Sequence, residues 1–125
     1  MTRASVAVID DAGLERETFR DRKLELFVWS RGGHITGFEL HYQIHSADEW
    51  SLRWTDTEGT TYHRIDRRSY LKGRKEGRVM KRIESEFPDV RDMHAEFVVR
   101  GRSIDDSIRA IVLSRLSQEM RGSNR

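Results

Sequence analysis

At 125 residues, with 35% charged side chains, 36% hydrophobic ones and a formal net charge of +2, the chain fits one domain with a small core and a heavily solvated exterior. Nine percent aromatics and a regular Leu/Ile/Val spacing argue against disorder, and the absence of cysteine excludes disulfides, thiolate metal sites and cysteine nucleophiles. The overall charge is too small to imply a polyanionic partner, but it is unevenly placed, net −4 over residues 1–66 and net +6 over 67–125.

The first residues, MTRASVAVIDDAG, hold no long apolar run, so neither a signal peptide nor a membrane span is expected. The short run VAVI predicts a first or edge strand, broken at Asp10-Asp11-Ala12-Gly13. Leu14 to Arg22 is ambiguous. Its Glu and Arg favour a short helical or irregular passage, and a strand pairing with the next segment of the chain is the alternative.

Residues 24–66 carry the strongest signal, with all three tryptophans and apolar residues at every second position. Leu24, Leu26 and Val28 fall on one face of a strand and Phe27 and Trp29 on the other, which predicts a strand covered on both sides. Gly32-Gly33 suits the positive φ angles of a tight hairpin turn. In His34 to His45, Phe38, Leu40, Tyr42 and Ile44 face one way, and Glu39, His41, Gln43 and His45 face the other. Trp50, Leu52 and Trp54 make a third apolar face, and Thr60 to Asp66 reads as a fourth strand. Successive short connections predict an antiparallel meander.

Beyond Asp66 the composition turns basic. Arg67 to Gly77 reads as a loop, Arg78 to Phe87 as a short helix ended by Pro88, and Met93 to Arg100 as one more strand broken by Gly101. A last helix is expected to begin near Ser103, with Ser103 and Asp106 as a capping pair and Asp105 and Asp106 suited to the helix N-terminus. Ile104, Ile108, Ile111, Val112, Leu116 and Met120 form its apolar stripe, interrupted by Arg115.

Three features bear on function. The polar strand face Glu39, His41, His45, joined by His63 and Asp66, holds imidazoles and carboxylates suited to general acid–base or metal-dependent hydrolysis. Against this, His41 and His45 would stand about 13 Å apart on an extended strand, too far to share one metal ion, and a solvated strand face explains the same residues. The segment 67–82 sets eight basic residues against the single acid Glu76. There Arg67, Arg68, Tyr70, Lys72, Arg74, Lys75 and Arg78 are candidates to hold phosphates of a nucleic acid or another polyanion. GRKEG lacks the Gly-Lys-Ser/Thr ending of a phosphate-binding loop, and a solvated loop balancing the acidic first half is the plainer reading. Of the tryptophans, Trp50 and Trp54 read as core, while Trp29 points away from the apolar face and is the candidate pocket or interface residue. No G-x-S-x-G or H-E-x-x-H motif is present.

The combination Leu26-Phe27-Val28-Trp29, Gly37-Phe38-x-Leu40-x-Tyr42, Glu49, Trp54 and His63-x-x-Asp66 resembles a family of small uncharacterised bacterial proteins. It covers about a third of the chain, and residues 67–125 depart from the pattern. The resemblance implies a bacterial, cytosolic origin and brings no activity with it.

The expected fold is therefore α+β: an antiparallel meander of about five strands packed on a C-terminal helix, with one short additional helix. The expected function is a non-catalytic binding or interaction module, using the basic 67–82 segment or a groove near Trp29. The alternative is a hydrolase built on the His/Glu/Asp face. No cofactor and no membrane association are expected. The doubly apolar strand at Leu24–Trp29 favours a homodimer.

Overall fold

A computed structural model describes residues 1–46, 49–66, 79–82 and 90–123. Seven strands, β1 (Thr2–Val8), β2 (Leu14–Arg20), β3 (Leu24–Arg31), β4 (His34–Tyr42), β5 (Trp50–Thr55), β6 (Gly59–Asp66) and β7 (Val79–Arg82), are followed by the helices α1 (Val90–Arg100) and α2 (Asp106–Ser123). Each strand pairs antiparallel with its successor, so sheet order is chain order. The α+β class and the meander are as expected.

The alternation read in residues 24–66 decides which side of the sheet is dry. Leu24, Leu26 and Val28 of β3, Phe38, Leu40 and Tyr42 of β4, and Leu52 and Trp54 of β5 are buried in one cluster with Tyr62 of β6. Val90, Met93 and Phe97 of α1 close that cluster from the helical side, together with Ile104 and, from α2, Ile108, Val112 and Leu116. Trp50 packs against the same core. The Gly32–Gly33 turn has φ of +57° and +79°, the geometry that joins two strands with two residues.

Four expectations are corrected. Among the described residues there are seven strands rather than about five, in part because Leu14–Arg20 forms β2 rather than a helical passage. Its Thr18 and Phe19 are buried beside β3, and that pairing outweighs the helix preference of Glu and Arg. Val79–Arg82, expected within a helix, pairs with β6 as β7. Four residues are too few for periodicity to decide.

Met93–Arg100, expected as a strand, is most of α1. Val90, Met93 and Phe97 recur at helical spacing and are the buried set, so the apparent two-residue rhythm is an accident of a short window. Finally, α2 starts at Asp106. The Asp105 carbonyl accepts from the Arg109 amide, which makes Asp105 the cap, while the Ser103 hydroxyl donates to the Met1 carbonyl.

The connection around α1 is held by charge. Arg100 donates from Nε to Glu96 at 2.7 Å and from Nη1 to Asp21 at 3.1 Å, tying the helix end to the β2–β3 turn. Among the described residues no helix is long and apolar enough to cross a membrane.

Candidate functional site

The face of the sheet away from the helices is polar, and the ladder register places its side chains in rows. One row runs Arg20, Glu25, His41, Ser51, His63 across β2 to β6, and the next runs Thr18, Phe27, Glu39, Arg53, Thr61. Two residues per pleat and a register that is continuous through these rows bring together groups far apart in sequence.

Glu39, His41 and Glu49 form a buried network here. His41 Nε2 lies 2.6 Å from Glu39 Oε1, and its Nδ1 lies 3.6 Å from Glu49 Oε2. Glu49 accepts from the His45 amide at 3.0 Å. Arg53 Nε stands 3.7 Å from the other Glu39 oxygen. Burial pushes the Glu39 carboxyl up, but the His41 hydrogen bond and the charges of His41, Arg53 and His63 overcome it and hold the group below its ordinary value. Phe27 packs edge-on against the His41 ring at 5.5 Å. His41 is only 3% exposed, so the imidazole is almost entirely shielded from solvent. Ser51, between His41 and His63 in the register, is fully buried and its Oγ makes no hydrogen bond among the described residues.

Of the predicted polar set, Glu39 and His41 are therefore in contact and His63 lies one strand beyond Ser51. His45 does not share the face. β4 ends at Tyr42, and Gln43 and His45 take φ of +54° and +68°, so the chain turns out of the pleat before His45 is reached. Asp66 closes β6 opposite Val79. Among the described residues no group of three His, Asp or Glu is arranged to hold a metal ion. Glu49, which the sequence marks only as part of a family-like pattern, is the network member that residue spacing missed. It lies outside the strands, and only the chain reversal after β4 carries it to His41.

Beside this network the sheet opens into a groove of about 450 Å³ lined by Leu14, Trp29, Arg31, Gly37, Arg53 and Thr55, with Thr36, Asp56 and Thr57 at its end. The groove has a local cause. Trp29 pairs with Gly37, but Ser30 pairs with Ile35, so Thr36 is an extra residue in β4. Such a bulge twists the strand and re-aims its neighbours. Gly37 puts no side chain between Trp29 and Thr55. The Arg53 guanidinium stands 5.7 Å from the centre of the Trp29 ring, and its side chain is 41% exposed. Arg31 is held by Asp10 at 3.3 Å and by the Ala12 carbonyl at 2.8 Å.

Trp29 lines this groove, whereas Trp54 is buried in the core and Trp50 packs against it. Comparison with family models, curated proteins and solved structures finds no match. Arg67, Arg68, Tyr70, Lys72, Arg74, Lys75 and Arg78 lie outside the described residues. Asp66 and Val79, which bracket residues 67–78, meet beyond the Trp50–Arg64 pair, at the opposite end of β6 from the Thr55–Gly59 pair beside the groove.

Proposed function

We propose that the protein is a non-catalytic binding module whose ligand is a small molecule combining a flat ring with a negative charge, taken up in the groove between Trp29 and Arg53. The supporting observation is the Arg53–Trp29 pair itself. A partly exposed guanidinium over an indole face offers an anion partner and a stacking surface side by side. Arg53 is pre-positioned by Glu39 without a short hydrogen bond to it, so it can still take a ligand carboxylate or phosphate. Leu14 adds apolar wall, and Thr36, Thr55 and Thr57 add hydroxyls able to fix orientation. The burial of His41 and Glu39 favours a role for that network in holding Arg53 over a role in chemistry.

Calorimetric titration with adenosine monophosphate, benzoate and inorganic phosphate tests the reading. The two ring-bearing anions are expected to bind saturably and phosphate much more weakly, with Trp29→Ala and Arg53→Ala each lowering affinity at least about tenfold, the first by losing a stacking surface and the second a charge-assisted contact. Binding that survives both substitutions but is lost in Arg74→Glu/Lys75→Glu/Arg78→Glu would move the site to the basic segment and overturn the groove assignment. No saturable binding of any of the three would do the same.

A further inference from the structure

The face of β3 away from the core is partly covered within the chain, with Phe27 and Trp29 half-buried there. Leu24, Leu26 and Val28 are buried in the core, and Glu25 is buried on the other face. The edge of the sheet is a different matter. Among the described residues β1 pairs only with β2. It contains neither proline nor lysine, and carries the exposed apolar side chains Val6 (51%) and Val8 (71%), continued by Ile9 (46%). Edge strands of soluble proteins are ordinarily blunted by proline, lysine or a bulge. Here the only irregularity in the pairing is a register shift between Arg3 and Ser5, which leaves the Ser5–Ile9 stretch straight and open.

We infer that β1 is a dimerisation edge on which the same strand of a second copy pairs antiparallel. Three observations select this occupant. First, the outward backbone groups are identifiable. The Ile9 amide donates to the Leu14 carbonyl, and antiparallel bonding alternates along the ladder, so the amides and carbonyls of Val6 and Val8 point away from β2. Second, a twofold axis at Ala7 sets Val6 of each copy opposite Val8 of the other. All four exposed valines then lie on one face, since Val6 and Val8 sit opposite Glu17 and Glu15 on the same side of β2.

Third, the charges are self-complementary only in that direction. Arg3, whose side chain is 62% exposed with a long 4.0 Å approach to Glu17, stands at one end of the edge. Asp11, which makes no ion pair among the described residues, lies in the turn past the other end, where β1 closes at Val8. Antiparallel pairing brings the Arg3 end of each edge toward the partner's β1–β2 turn, which carries Asp11, whereas parallel pairing sets like ends together. An isologous contact of this kind closes at two copies.

Sedimentation equilibrium of the full chain across the micromolar range tests the inference. The wild type is expected to run at twice its 14.7 kDa mass, and Val6→Lys and Val8→Lys to run as monomers. Because both valines are exposed, the far-ultraviolet dichroism and melting temperature of the dilute variants should match those of the dilute wild type. Arg3→Glu should weaken association at least about tenfold, and Arg3→Glu combined with Asp11→Arg should restore it. A wild type that stays monomeric at the highest concentration overturns the inference, as does a dimer indifferent to Val8→Lys. Open-ended assembly beyond two copies, or failure of the charge swap to rescue, would also refute the twofold pairing.

Discussion

His41 stands between two carboxylates, with Nε2 2.6 Å from Glu39 and Nδ1 3.6 Å from Glu49, all three side chains almost entirely removed from water. Removing two carboxyl groups from water is costly, and the imidazole between them is what makes the arrangement tolerable. The same network holds the guanidinium that faces the groove, so the interior of the sheet and the proposed ligand site are one electrostatic unit.

His41→Leu should therefore destabilise the fold by about 3–5 kcal/mol, the usual penalty for stripping a partner from a buried charge. Urea unfolding measures it. A shift in stability of under about 1 kcal/mol would show that the pairing does not carry the burial.

Acid should weaken the protein through Glu39. Its folded carboxyl is held below the ordinary 4.5, so it contributes stability that is fully present above the unfolded value and is lost as the pH falls through the folded one. Stability measured from neutral pH downward should drop below about pH 4.5, and Glu39→Gln should drop less steeply over the same window.

Gly37 is required by its neighbour across the ladder. A Cβ there would lie 2.8 Å from the Trp54 carbonyl oxygen and 3.2 Å from Thr55 Cγ2, and a backbone atom cannot swing aside. Gly37→Ala is expected to cost about 1–3 kcal/mol by forcing β4 and β5 apart. It should also weaken binding of a ring-bearing anion, because Thr55 lines the groove. Thermal melting and calorimetry on the same sample read both effects.

Phe97 is the anchor of α1 on the sheet, fully buried, with Gly101 closed against its ring. Phe97→Ala should cost about 3–5 kcal/mol. Since Arg100 ties the same helix to Asp21, amide exchange at the β2–β3 turn should rise along with that at α1. Loosening confined to the helix would separate the two.

From the residues themselves, the two-residue rhythm of 24–66 determined the central strands, the Gly32–Gly33 turn and the division into an apolar and a polar face. Turning Leu40 toward the helices and Glu39 away from them forbids a one-residue slip of the pairing, which would exchange the two faces. The same rhythm placed Trp29 off the core, and the Ile104–Met120 stripe determined the last helix. Only the tertiary structure decided the short segments. Leu14–Arg20, Val79–Arg82 and Val90–Arg100 each satisfy more than one local pattern, and the partner available for pairing or packing settled which one wins. It also decided the site. Glu49 reaches His41, His45 leaves it, and the groove opens beside Trp29 because of a chain reversal and a one-residue bulge, events that alternate side chains do not encode.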